Sequence, residues 1–137
     1  MSKKLKITFE RGGVVYADLL YADAPQTIGI LEKALSRTAK MKQVSDTGPA
    51  LYFDYDLGEM PLENVVTQKV CGQVTINMGS PAVPGCFVRV YYSTAEIRNK
   101  NEESLFAVVE KDSLNLMASI GRGVWQEGPE IAAIEFC

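Results

Sequence analysis

The chain has 137 residues, 47% of them hydrophobic and 23% charged, with a net charge of −3 and no histidine. Its length suits one domain that buries about two-thirds of its unfolded surface without staples. The acidic balance argues against nucleic acid, no run approaches the ~20 apolar residues of a membrane span, and Cys71, Cys86 and Cys137 lack the spacing of a disulfide framework or zinc motif.

No apolar run of signal-peptide length follows Met1-Ser2-Lys3-Lys4. With unpaired cysteines, this leads us to expect a soluble protein of the reducing cytoplasm. There is no linker, repeat or low-complexity tract, so residues 1–137 are expected to form a single domain.

Residues 4–10 alternate strictly. Leu5, Ile7 and Phe9 face one way, and Lys4, Lys6, Thr8 and Glu10 the other, which is the pattern of a half-buried strand. Gly12-Gly13 supplies a turn and residues 14–20 a second strand. Pro25 fits a first helical turn, and Ile28, Leu31 and Leu35 follow at helical spacing. Gly29 within that helix suggests close packing on a sheet. Residues 40–44 can form a short strand. Residues 45–49 are a turn cluster, and residues 51–57 alternate as a strand. Residues 58–64 read as a loop, and Val74, Ile76 and Met78 as strand positions.

Residues 79–85 are the richest turn segment, and residues 87–92 a strong strand. Residues 94–104 read as a polar surface loop and residues 106–110 as a strand. Asp112 or Ser113 can cap a second helix through Leu114, Met117 and Ala118, ending near Gly121 and Gly123. Residues 131–136 close the chain, with Ala132, Ile134 and Phe136 on one face. The N-terminal and C-terminal strands are expected to pair antiparallel. About eight short strands and two distant helices indicate a mainly β fold. It should be a closed β-barrel capped by two short helices.

The run Tyr21-Ala22-Asp23-Ala24-Pro25-Gln26-Thr27 leading into Ile28–Leu35 resembles the start of a cyclophilin. The late pattern Phe106-Ala107-Val108-Val109-Glu110, a helix, Gly123-Val124-Trp125-Gln126-Glu127-Gly128 and a closing strand is similar to an uncharacterised bacterial family of small cyclophilin-like proteins. Pro61-Leu62-Glu63-Asn64 resembles that family's Glu-Asn element. The resemblance implies a cyclophilin-like barrel. It does not carry the isomerase chemistry. Where a cyclophilin has Phe-His-Arg after the first helix, this chain reads Ala39-Lys40-Met41-Lys42-Gln43-Val44. Where Gln-Gly-Gly-Asp should follow, it reads Ala50-Leu51-Tyr52-Phe53-Asp54-Tyr55. Lysine lacks the planar fork of arginine, so peptidyl-prolyl isomerase activity is not expected.

Several constellations have both a bland and a functional reading. Arg89 lies between Phe87 and Tyr91 on one strand face. It is either a solvated cation, the simpler reading, or a carboxylate binder. Tyr52, Asp54 and Asp56, followed by Glu59 and Glu63, make either a solvated face or an acid cluster whose spacing fits no calcium loop. Lys33, Arg37, Lys40 and Lys42 suit a helix C-terminus. Trp125 either lines a ligand pocket or, the simpler reading, covers the barrel end as core. Cys86 has no histidine to serve it as a base, and no phosphate loop, dinucleotide fingerprint or nucleophile elbow is present.

No metal and no cofactor is expected. If there is a binding site, it should combine Lys42, Tyr52, Asp54, Glu63, Asn64, Arg89 and Tyr91, bounded by the strand at 51–55, the loop Glu63-Asn64 and the strand at 87–92. Lys42 and Arg89 would meet an anionic group, the tyrosines would stack on its body, and Glu63 and Asn64 would orient it. The resulting expectation is a small-molecule-binding or accessory protein, dimeric by the commonness of such assemblies, that takes an anionic or amide-containing compound. Its alternatives are an enzyme on such a compound, or a weak isomerase or peptide binder.

Overall fold

The computed structural model describes residues 3–34, 37–44, 49–55, 60–80, 83–93 and 100–137. Leu35, Asp56, Leu57, Glu59, turn residues 45–48 and 81–82, and residues 94–99 of the polar segment lie outside them. The strands are β1 (Lys4–Phe9), β2 (Gly13–Leu19), β3 (Arg37–Gln43), β4 (Ala50–Tyr55), β5 (Val65–Val66), β6 (Gln73–Ser80), β7 (Val83–Tyr91), β8 (Glu103–Val109) and β9 (Glu130–Phe136). The helices are α1 (Pro25–Ala34) and α2 (Leu114–Glu127). Eight strands pair in the order β2-β1-β9-β3-β4-β7-β6-β8, and β2 pairs with β8 to close an antiparallel barrel. The two-residue β5 adds to β8 outside that ring.

Alternation explains the core. In β1, Leu5 stands opposite Phe136 of β9, Ile7 opposite Ile134, and Phe9 opposite Ala132, as the sequence predicts. Val15, Ala17, Met41, Leu51, Phe53, Val74, Ile76, Val88, Val90 and Phe106 join them in the interior. Ile28 and Leu31 of α1 and Met117, Ile120 and Val124 of α2 belong to the same cluster. Full burial of each large side chain contributes about 1.5–3 kcal/mol relative to exposure.

Several sequence expectations are corrected. Strand β3 begins at Arg37, so Arg37, Lys40 and Lys42 lie on a strand rather than at a helix end. Strand β8 begins at Glu103, so Glu103 and Ser104 are buried strand residues and not surface loop. Helix α2 runs through Gly121 and Gly123 and stops at Gly128, whose φ of 94° suits a terminating glycine. Gly121 is there for packing, since a Cβ would fall inside the contact surface of the Tyr92 ring. Gly29, by contrast, faces open space. Ser113 precedes α2 but does not bond back to it, because its Oγ accepts the Tyr16 N–H at 3.3 Å.

Trp125 is the largest departure, with 67% of its surface exposed. The inward stripe of α2 is already filled by Met117, Ile120, Gly121 and Val124, and position 125 points away from it. Its fluorescence should resemble that of free tryptophan in water and be quenched by acrylamide. A blue-shifted, quencher-resistant band would return it to the core.

Candidate functional site

Alternation along β7 sends Cys86, Val88 and Val90 into the barrel and Phe87, Arg89 and Tyr91 to the outside. The register extends this face across four strands. Lys42 of β3 stands opposite Tyr52 of β4, Tyr52 opposite Arg89 of β7, and Arg89 opposite Thr75 of β6. One position along, Asp54, Phe87 and Asn77 form a second row. Opposed residues in antiparallel strands have Cα atoms about 4.5–5.5 Å apart. Five of the expected site residues, Lys42, Tyr52, Asp54, Arg89 and Tyr91, therefore share one face.

The exposed part of this face alternates cations and rings. Lys42 Nζ lies 5.6 Å from the Tyr52 ring centre and 3.6 Å from Asp54 Oδ1. The Tyr52 and Phe87 ring centres are 6.1 Å apart, inclined at 56°. The Arg89 guanidinium is 5.6 Å from the Phe87 ring centre. Lys42 and Asp54 are both well exposed, so their ion pair adds little to stability.

Arg89 is not a solvated cation. Its side chain is 15% exposed, and its Nη1 lies 3.3 Å from Oε2 of Glu103, whose side chain is 0% exposed. Nη1 also donates to Asn77 Oδ1. Arg89 Nε, closed off from solvent, has no hydrogen-bond acceptor among the described residues. Glu103 Oε1 accepts from the Thr75 hydroxyl at 2.6 Å and the Tyr91 hydroxyl at 2.8 Å. Tyr91 is thus spent internally, and it is buried in a small outer cluster with Val44 and Ala50. Lys69, also buried, donates to Thr67 O at 3.0 Å and to Asn101 O. Burial pushes its amine below the usual lysine range, and the Arg89 charge adds to that push while the Glu103 charge opposes it.

Glu63 and Asn64 stand apart from the row. The Glu63 carboxylate accepts the Thr27 N–H at 2.8 Å and the Gln26 N–H at 3.2 Å, in the first turn of α1. Those N–H groups have no partner within the helix. Burial pushes the Glu63 carboxyl up, but the Thr27 and Gln26 donors outweigh it and hold the group below the usual glutamate range. Asn64 has φ of 51°, and its Nδ2 donates to Leu105 O at 3.0 Å. The Glu63 N–H donates to Ser104 Oγ at 3.0 Å, and that hydroxyl reaches Pro61 O at 3.3 Å. The Met60 N–H donates to Met78 Sδ at 3.5 Å.

These bonds build one wall of a pocket of about 320 Å³. Met60, Pro61 and Leu62 face Ile76, Asn77 and Met78 of β6, with Glu102 and Ser104 on the remaining side. Asn77 is shared, because it both lines the pocket and accepts from Arg89. Sequence reasoning missed Glu103, Asn77 and the methionines. It expected a site bounded by β4, the loop at Glu63-Asn64 and β7; the cavity described here lies beside that loop and against β6.

No protein-family model matches the sequence, and no curated protein matches it. Solved structures do. Over 96% of this chain, McbB in complex with tryptophan is similar with a TM-score of 0.75 and 18% identity. The chain spans 44% of the length of McbB. The hypothetical protein AF2241 of Archaeoglobus fulgidus aligns with 99% of this chain and 95% of its own, at a TM-score of 0.64 and 18% identity. A cyclophilin-type peptidyl-prolyl cis-trans isomerase of Cryptosporidium parvum, in the presence of the dipeptide Ala-Pro, covers 98% of both chains at a TM-score of 0.55 and 12% identity. At these identities the likeness is one of fold. The barrel is cyclophilin-like, and membership of a particular bacterial family is not supported by sequence.

Proposed function

We propose that the protein binds a small, amino-acid-like compound. Its apolar body would enter the pocket between Met60, Leu62 and Met78, and its carboxylate or amide group would meet Asn77 and Arg89. The observation that carries this reading is Asn77, one side chain that both lines an apolar cavity and bonds a largely buried guanidinium. A cavity of about 320 Å³ stands at the small end of ligand pockets, and such sites combine apolar walls with a few convergent polar groups. The tryptophan bound to McbB and the Ala-Pro dipeptide used with the C. parvum cyclophilin are compounds of this size and chemistry, which lends support from the fold. Lys42, Tyr52 and Phe87 continue the surface beyond Arg89. That continuity favours, as a second reading, a short peptide lying along the row.

Calorimetric titration with N-acetyl-L-tryptophan tests the site. Met78 is partly exposed, so Met78→Lys should fold normally. By placing a cation in the apolar wall it should weaken binding at least about tenfold, or 1.4 kcal/mol. Lys111→Ala, on the exposed turn before α2, should bind like the parent protein. Equal affinity in Met78→Lys would move the site elsewhere, and no binding by the parent at millimolar ligand would reject this ligand class.

A further inference from the structure

We propose that Glu63 is a positioning residue whose carboxylate clasps the pocket wall at residues 60–62 to helix α1, so that the wall keeps its binding shape only while Glu63 is ionised. This rests on the reading of that pocket as the ligand site. The wall hangs from a few bonds. Met60 is fixed to Met78, Pro61 and Glu63 to the Ser104 hydroxyl, and Asn64 to Leu105. Among the described residues, Glu63 is the one that ties the segment to α1, and it is the titratable member of this set of bonds.

The two N–H donors are held by separate oxygens, Thr27 by Oε1 and Gln26 by Oε2. Protonation makes one of these oxygens a hydroxyl, a poorer acceptor, and weakens its bond. The negative charge also opposes the positive end of α1, and protonation removes that attraction. The charged groups on the elements around Glu63 are Asp23 ahead of α1, Glu32 and Lys33 further along it, and Glu102 and Glu103 beside Ser104. Arg89 pairs with Glu103 from β7. The folded-state pKa of Glu63 is lowered. Its stabilising contribution is therefore fully present above the ordinary glutamate range, and is lost as pH falls through the lowered folded value.

The test uses N-acetyl-L-tryptophanamide, a neutral probe that does not itself titrate, from neutral pH to about pH 3. Binding by the parent protein should weaken several-fold towards the acid end. Glu63→Gln, which mimics the protonated group, should bind several-fold more weakly at neutral pH and show a flatter profile. Full affinity in Glu63→Gln, or an acid loss as steep as the parent's, would overturn the proposal. Amide hydrogen exchange in the ligand-free protein separates the clasp from the binding reading. Exchange at Gln26, Thr27 and Glu63 should quicken in Glu63→Gln. Unchanged protection overturns the clasp whether or not the probe binds. Quickened exchange with no probe bound by the parent upholds the clasp and rejects the pocket as its ligand's site.

Discussion

Replacing Glu103 with alanine should lower stability by about 3–5 kcal/mol, as removal of one partner from a buried ion pair does. The carboxylate is fully enclosed and serves Arg89, Thr75 and Tyr91 together. Its loss leaves the Arg89 charge without its counterion in a place where water cannot easily replace it, and strands two hydroxyl donors. The pair itself need not be strongly stabilising, because desolvation of both charges offsets much of their attraction. The double variant Arg89→Met with Glu103→Leu should therefore recover a large part of the loss. Urea denaturation measures both. A single-variant loss below about 1 kcal/mol would put Glu103 among ordinary surface pairs, and the buried network would be wrong.

Gly121→Ala should destabilise although it improves helix propensity. In an exposed helix interior the change gains about 1 kcal/mol. At position 121 the new methyl meets the Tyr92 ring, which is buried and held by its hydroxyl on Gln43 Oε1 at 2.6 Å. Overpacking of this kind costs about 1–3 kcal/mol, so the net effect is a loss. Gly29→Ala, in α1 with open space around it, should show the opposite sign. Thermal melts of the two variants compare them directly. A Gly121→Ala protein more stable than its parent would mean that α2 does not press on Tyr92.

The barrel could be read from the chain because its strands alternate. Leu5-Lys6-Ile7-Thr8-Phe9 and Ala132-Ala133-Ile134-Glu135-Phe136 specify their inward faces residue by residue, while the register that pairs Ile7 with Ile134 is seen in the structure. The face carrying Lys42, Tyr52, Asp54, Arg89 and Tyr91 was legible for the same reason. Glu103 was not, because a carboxylate before a strand looks like loop. Its burial is supported by Arg89, 14 residues upstream, Thr75, 28 residues upstream, and Tyr91, 12 residues upstream. The role of Glu63 was equally hidden, since its partner Thr27 lies 36 residues away and no local pattern links a loop carboxylate to a distant helix start. Gly121 misled because glycine ends helices more often than it packs rings, and the ring of Tyr92 arrives from another element.

The most direct measurement is a nitrogen-15 NMR titration with N-acetyl-L-tryptophan, following the Arg89 Nε–H and the Asn77 side-chain amide. Ligand seated in the Met60–Met78 pocket with its polar group on these residues should shift both signals saturably, together with the Met60 and Met78 methyl groups, and leave Trp125 and the Lys111 turn unmoved. Saturable shifts confined to other faces of the barrel, with the Arg89 and Asn77 signals unchanged, would contradict the site.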